Sequence, residues 1–240
     1  QLRFILTGPV KVPTHCAVWS KAGGDAAELI EIRNGTHFIF DGGPRFEVRA
    51  GESIHILEKD LKVEGEPFLP HEIEKIEKIK SLGFTRWYLS YVYDQSHVDK
   101  FRELIGPDAE LILKIENIAG LEFVANKFKK TKNTRLMAAR GDLFVEIEKP
   151  HHILKACKTI IEADPNAFVG SRMLLSLNEV KGRKYMPVPS AAYLSELAWI
   201  YEIGYRNFLL CDELCLKMHT LGAATNVFDS FRNDYCKGNT

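Results

Sequence analysis

The sequence lacks an excess of charge of either sign. Its 240 residues include 32 lysines and arginines and 32 aspartates and glutamates, so the formal net charge is zero. A protein that binds nucleic acid or an anionic membrane through bulk electrostatics usually carries a basic excess. We therefore expect neither nucleic acid nor membrane as a partner.

Long apolar runs and a disulfide framework are also missing. No stretch approaches the roughly 20 apolar residues of a membrane-spanning helix, and the run at residues 1–6 is shorter than the core of a signal peptide. Cysteine is scarce and odd in number, with five residues that lie mostly in apolar runs. Small secreted domains instead carry paired cysteines. We therefore expect a cytoplasmic protein.

From residue 70 onward the sequence contains a regular alternation of strand-like and helix-like segments. The strand-like runs lie at residues 87–92, 111–115, 135–139, 167–170 and 208–211, and apolar residues at helical spacing lie between them. Such alternation predicts parallel strands joined by crossover helices. Sustained over this length, it predicts an α/β fold, a (β/α)8 TIM barrel in one domain.

The first third of the chain follows a different pattern. A short strand is predicted at residues 3–6 and another at residues 29–33. Alternating segments such as 37–40, 46–49 and 53–57 are separated by glycine-containing turns, a pattern typical of a small antiparallel meander. We therefore predict a single domain, residues 1–240, with a β-rich excursion at about residues 34–66 and a barrel that is incomplete or irregular in its N-terminal third.

Polar residues follow the ends of the predicted strands, where a barrel of this kind concentrates its chemistry. Ser90, Glu116, Asp142 and Ser171 are separated by 26, 26 and 29 residues, so polar groups recur once per strand and helix. This recurrence predicts a common rim. The candidate residues on that rim are Ser90, Lys114, Glu116, Arg140, Asp142, Ser171, Arg172, Asp212 and Glu213.

Lys114 and Glu116 are two residues apart, so in a strand they point to the same face. Two carboxylates, Glu116 and Asp142, then face one space, and they repel each other unless a cation or a proton lies between them. Magnesium is a natural partner for two oxygen ligands. A buried ion-pair network that includes Lys114 and Arg140 is the alternative, and the spacing alone does not decide between the two.

The same residues carry a resemblance to a known family. The segments LKIENIAG (113–120) and MAARGDLFVEI (137–147) resemble the barrel signature of pyruvate kinase, approximately KIEN followed by MVARGDLGVEI. Shorter segments resemble the same family in the same order: LSYV (89–92), SRML (171–174), PVPS (187–190) and LCDE (210–213). The resemblance is strong over about residues 68–220. Upstream it is patchy, with LTGP (6–9) and EIRNG (31–35).

The resemblance implies a role for each matching residue. Glu116 and Asp142 would hold Mg2+, with Mn2+ as a substitute, and Lys114 would neutralise charge or assist protonation near an enolate. The backbone at Gly141 and Asp142 would receive the substrate carboxylate, close to the hydroxyl of Ser171. We list Lys114, Ser171 and Arg140 as catalytic candidates, and Ser90, Gly141, Asp142, Ser171, Arg172 and Glu213 as substrate-binding candidates.

The departures from the family concern the handling of phosphate. The RxNFSHG stretch has no counterpart, and the LDTKG segment is replaced by residues 26–30, AAELI, without its aspartate, threonine and lysine. We also expect neither a full lid domain between Glu58 and Pro70 nor a regulatory domain after the barrel. Phosphoryl transfer depends on cations placed around the phosphoryl oxygens. The sequence therefore keeps the metal and carboxylate half of the site.

Three functions follow as hypotheses. The first is a Mg-dependent lyase, an aldolase or a decarboxylase, that binds pyruvate or a related 2-oxo acid and stabilises its enolate. The second is a pyruvate kinase-like transferase acting on phosphoenolpyruvate, with Arg33, Arg172 or a partner subunit supplying the missing cations. The third is a catalytically inactive barrel that binds a metabolite or a protein. We expect the chain to form a homo-oligomer.

Overall fold

The computed structural model describes most of the chain after residue 64 and shorter segments before it. The described residues are 2–5, 10–11, 14–20, 25–34, 37–43, 54–56, 62–63, 65–178 and 188–237. The segment predicted at residues 46–49 lies outside them. Within the described ranges, no helix has both the length and the apolar character needed to span a membrane.

The N-terminal part of the chain forms an antiparallel sheet. Its strands are β1 (Leu2–Ile5), β3 (Cys16–Ser20), β4 (Asp25–Arg33), β5 (His37–Asp41) and β6 (Ile54–Ile56), in the order β1-β5-β4-β3-β6. The short strands β2 (Val10–Lys11) and β7 (Lys62–Val63) pair with each other. Leu29, Phe38 and Phe40 contribute to a small separate core. The sheet includes strands from residue 2 onward, so it extends beyond the predicted excursion.

The second sheet is parallel and contains the strands predicted from residue 70 onward. They are β8 (Arg86–Leu89), β9 (Glu110–Ile115), β10 (Thr134–Ala139), β11 (Phe168–Gly170) and β12 (Asn207–Leu209). They lie side by side in chain order, from β8 at one edge to β12 at the other. Among the described residues this sheet is open. The closed (β/α)8 barrel therefore stays a prediction.

Helices alternate with these strands as the apolar spacing predicts. They are α1 (Pro70–Ser81), α2 (Gln95–Ile105), α3 (Ile118–Asn126), α4 (Arg140–Glu146), α5 (His152–Ala163), α6 (Ala191–Glu202), α7 (Asp212–Cys215) and α8 (Met218–Ser230). A 3-10 turn occupies Leu175–Asn178, and a π-helical segment, Phe231–Cys236, continues α8.

Side-chain caps explain where several helices begin. The Asp94 and Asn117 side chains accept hydrogen bonds from backbone N–H groups at the starts of α2 and α3, which satisfies donors that the helix itself leaves free. The Ser190 hydroxyl accepts the N–H of Tyr193 at 3.4 Å. Ser190 is therefore the N-cap of α6.

The main core lies between the parallel sheet and its helices. Alternate residues of the central strands, such as Leu111, Leu113 and Leu136, are fully buried and belong to this core together with residues of α2, α3 and α5. A parallel strand covered on both faces is expected to be apolar nearly throughout. The polar residues that could form a site are therefore expected near and beyond the carboxyl ends of the strands.

Candidate active site

The carboxyl ends of β8, β9 and β10 bring the first candidate residues together. Ser90 directly follows β8, Lys114 is the last but one residue of β9, and Glu116 directly follows β9. Met137 of β10 is paired with Lys114. Because neighbouring parallel strands end at one edge of their sheet, side chains at the ends of these strands reach a common space.

The Lys114 ammonium group lies between Ser90 and Glu116. Its Nζ donates a hydrogen bond to Ser90 Oγ at 3.2 Å and lies 2.7 Å from Glu116 Oε1. The Lys114 side chain is 26% exposed, whereas the Glu116 side chain is 2% exposed. The predicted projection of Lys114 and Glu116 to the same side is confirmed, and the cation is the member of the pair that solvent and ligands can reach.

The second oxygen of Glu116 is held by the backbone. Glu116 Oε2 accepts a hydrogen bond from the N–H of Tyr91 at 2.7 Å. Burial raises the pKa of Glu116, and the charge of Asp142 acts in the same direction. Lys114 and the Tyr91 N–H lower the pKa without reversing the change. Burial is therefore the main reason that the ionised form of Glu116 is disfavoured.

Asp142 lies in the first turn of α4 and contacts a histidine from the other sheet. His55 of β6 places Nε2 3.2 Å from Asp142 Oδ1, an ion-pair contact rather than an aligned hydrogen bond. On the other side of the ring, His55 Nδ1 lies 2.8 Å from Glu146 Oε1. The contact with His55 lowers the pKa of Asp142 more than its partial burial raises it.

The His55 imidazole is almost completely buried between these two carboxylates, with its side chain 1% exposed. Burial alone would lower its pKa, but the contacts with Asp142 and Glu146 raise the pKa from 6.5 to about 9. His55 is therefore a cation at neutral pH. The Tyr91 ring lies near it, with ring centroids 6.2 Å apart.

Arg140 is buried, and its guanidinium group contacts neither Glu116 nor Asp142 in the described contacts. It donates to the carbonyl oxygens of Gly170, at 3.3 Å, and Ser171, at 2.8 Å, and forms a short ion pair with Glu196 of α6. Arg140 thus holds the end of β11 in place. Its assignment as a catalytic residue stays a prediction. The ion-pair alternative holds for Lys114, which pairs with Glu116, whereas Arg140 pairs with Glu196.

Ser171 follows β11 and packs against Gly141. A Cβ atom on Gly141 would lie 3.3 Å from Ser171 Cβ and 3.4 Å from Ser171 Oγ, so the absence of a side chain allows this approach. Ser171 and Arg172 both have a positive φ, 69° and 63°, which is costly for residues other than glycine. The structure therefore places Ser171 beside the start of α4, as the common rim predicts.

Arg172 and Glu213 lie further out. Arg172 is exposed beside Ser171. Glu213 is exposed in α7, beyond the end of β12, and its contact with the thiol of Cys211 contributes to the raised pKa of that thiol, after burial. No described contact joins either residue to Glu116 or Asp142. Their predicted roles in substrate binding stay predictions.

The sequence reasoning missed His55 and Glu146. His55 is isolated in the sequence, because 91 positions separate it from Glu146 and no local pattern connects the two residues. The spacing of Asp142 and Glu146 was a usable signal, since residues four apart lie on the same face of a helix. That pair of carboxylates predicts a cation partner, although not which one.

Glu116 and Asp142 suit a hard cation in ligand type and in charge. Each carboxyl group affects the pKa of the other, so the two face each other. In the part of the chain that the structure describes, no three His, Cys, Asp or Glu side chains are arranged to hold a metal ion. Two protein ligands, with water and substrate completing the shell, are common for Mg2+. A divalent cation between the two carboxyl groups would favour the ionised form of Glu116, whose pKa is raised first by burial and then by the charge of Asp142.

Comparison with known proteins gives a distant similarity. No protein-family model matches the chain. Over 119 residues the chain is 28% identical to the pyruvate kinase of Agaricus bisporus, and the alignment covers 48% of this chain and 21% of that protein. The matched region is thus about a fifth of the relative's length. The chain is similar to pyruvate kinase over about half of its own length, and this similarity suggests an enzyme.

Proposed function

We propose that the chain binds pyruvate or a related 2-oxo acid, or the corresponding enolpyruvate, with a divalent cation at Glu116 and Asp142, and that it stabilises the enolate form. The observation that carries the proposal is the pair of facing carboxylates, one fully buried with a raised pKa, beside the Lys114 ammonium group. The distant similarity to pyruvate kinase supports the same class of substrate.

The cation, Mg2+ or Mn2+, would act as a Lewis acid on the oxo group of the acid. The protein's own groups complete the site. Lys114 Nζ, held between Ser90 and Glu116, places positive charge at the rim where an enolate oxygen would develop negative charge. The Ser171 hydroxyl, beside Gly141, is positioned to donate to a carboxylate.

Two reaction types remain candidates, and each has a specific basis. Carbon-carbon chemistry, an aldol cleavage, a condensation or a decarboxylation, follows from the missing phosphate-binding segments. Phosphoryl transfer follows from the similarity to pyruvate kinase. One proposed substitute for the missing cations is already engaged, since the exposed Arg33 guanidinium forms two hydrogen bonds with Glu31. Catalytically inactive binding is the third possibility.

Metal binding is the first test. We expect Mn2+ to bind the wild-type protein, as followed by electron paramagnetic resonance and calorimetry, and oxalate, an analogue of the pyruvate enolate, to bind only with the metal. Glu116→Gln should abolish both. The matched control is Glu110→Gln, which removes a carboxylate from the same strand at its other end, where Glu110 pairs with Arg86. Equal binding by the Glu116→Gln and wild-type proteins would contradict the proposal.

Substrate assays then separate the reaction types. The Mg2+-loaded protein would be incubated with oxaloacetate, with pyruvate and an aldehyde, and with phosphoenolpyruvate and ADP. Turnover in either of the first two mixtures identifies a lyase, and turnover only in the third identifies a kinase. Metal and oxalate binding without turnover in any mixture identifies an inactive binding protein.

A further inference from the structure

In the described part of the chain, His55 joins the antiparallel sheet to the candidate site. His55 lies in β6, at an edge of the antiparallel sheet, whereas Asp142 and Glu146 lie in α4, directly after β10 of the parallel sheet. Both ring nitrogens of His55 face these carboxylates, at 3.2 Å and 2.8 Å. A single side chain therefore bridges the two sheets at one of the two proposed metal ligands.

We propose that His55, anchored by Glu146, is a positioning residue that fixes the Asp142 carboxylate for its cation and thereby couples the antiparallel sheet to the metal site. The proposal rests on the proposed function, because it assigns a role toward the same cation. Removal of a side chain that contacts a metal ligand and orients it commonly lowers metal affinity 10- to 100-fold.

The geometry indicates why Asp142 needs such a partner. Glu116 is held by Lys114 and by the Tyr91 N–H, so both of its oxygens are fixed. Asp142 contacts Glu116, the other proposed ligand, and its Oδ1 is located by His55. The imidazole is in turn oriented by Glu146, one helical turn away from Asp142, through the opposite nitrogen. The order of contacts is therefore Glu146, His55, Asp142.

The coupling should be reciprocal. If the contact of the antiparallel sheet with Asp142 favours metal binding, then metal binding must favour that contact by the same factor. Mn2+ should therefore slow hydrogen exchange at the backbone amides of Ile54–Ile56. A metal that had no connection with His55 would leave exchange in β6 unchanged.

Mn2+ affinity in three His55 variants tests the proposal. We expect His55→Ala to weaken Mn2+ binding at least 10-fold. His55→Gln, whose amide reaches the position of Nε2 and can donate to Asp142, should recover much of that loss. His55→Asn, whose amide reaches only the position of Nδ1, should not. A purely structural role would not separate Gln from Asn in this order.

The control is His97→Gln, which replaces another buried histidine, one that contacts Tyr93 and Phe68. It should leave Mn2+ affinity unchanged, and circular dichroism would confirm that every variant is folded. If His55→Ala does not fold, Glu146→Gln replaces it, with a smaller expected loss of affinity.

The outcomes separate the two proposals. Mn2+ binding that depends on Glu116 but is equal or tighter in His55→Ala overturns the positioning role and leaves the proposed function intact. Absence of Mn2+ binding by the wild-type protein overturns both. Weakened binding with recovery by Gln, together with slower exchange in β6, supports the positioning role.

Discussion

The pH dependence of unfolding tests the environment of His55 in the absence of metal. Burial alone would lower the pKa of this histidine, but the carboxylates of Asp142 and Glu146 raise it from 6.5 to about 9. A histidine whose pKa is higher in the folded state contributes stability that is fully present below pH 6.5. That contribution is lost as the pH rises through 9.

The magnitude follows from the change in pKa. One pKa unit corresponds to about 1.4 kcal/mol, so a rise from 6.5 to about 9 corresponds to about 3 kcal/mol of unfolding free energy. The side chain is 1% exposed, so solvent does little to screen the charges around it. Such a contribution is a large fraction of the roughly 5–15 kcal/mol that stabilises an ordinary protein.

The assay is urea unfolding from pH 6 to pH 10 in the presence of a chelator, for the wild-type and His55→Gln proteins. Apart from residue 55, the two proteins carry the same titratable groups. The difference between the two curves therefore isolates His55. We expect the wild-type protein to lose about 3 kcal/mol more than the variant over this range. Parallel curves would refute the assignment of His55 as a buried cation.

Four further substitutions, in two matched pairs, test the fold. Leu113→Ala truncates a fully buried residue of β9 and should lower the free energy of unfolding by about 2–5 kcal/mol, as measured in urea. Leu82→Ala, at a residue that is 68% exposed, should change it by less than about 0.5 kcal/mol. Equal effects of the two substitutions would contradict the packing of β9. Gly120→Ala should cost about 1–3 kcal/mol, because its Cβ would lie 2.2 Å from the carbonyl oxygen of Val92. Gly222→Ala, in an open position of α8, should leave the melting temperature unchanged or raise it. If Gly222→Ala were the more destabilising of the two glycine variants, α3 would not pack as described.

Much of the parallel half of the fold is predictable from the sequence because its signals are local. Apolar residues at helical spacing and short apolar runs between them identify the helices and strands after residue 70, and Ser190 is recognisable as an N-cap. The order of the strands then follows from their regular alternation with helices. Helix α4 is harder to predict from the sequence, because it is only seven residues long and its sequence carries no strong apolar stripe.

The pairing of the antiparallel strands is not predictable in the same way. Strand β1 pairs with β5, and β6 pairs with β3, so the sheet is not a simple succession of hairpins. Such pairings depend on contacts between distant parts of the chain, and the hydrophobic periodicity of one strand does not identify its partner. The His55 contact with α4 has the same origin, since it requires both sheets to be in place.

Part of the candidate site was predictable for a physical reason. Glu116 and Asp142 follow successive strands of one parallel sheet, so strand periodicity alone places them at one edge. The orientation of Arg140 was not predictable, because its guanidinium group is long enough to turn either toward the carboxylates or toward Glu196. Its buried contacts with the end of β11 and with Glu196 orient the guanidinium group away from the two carboxylates.

Backbone strain provides an independent indication of where the site lies. In the described residues from 65 onward, the non-glycine residues with positive φ are Tyr91, Ser171, Arg172 and Leu174, and all of them follow β8 or β11. Each such residue costs about 1–3 kcal/mol and persists only where surrounding contacts hold it. The N–H of Tyr91 is held by Glu116, and the carbonyl oxygen of Ser171 is held by Arg140. The groups that shape the candidate site are therefore also the groups that maintain its strained loops. Loss of Glu116 would remove a proposed metal ligand and also the hydrogen bond that holds the loop at Tyr91.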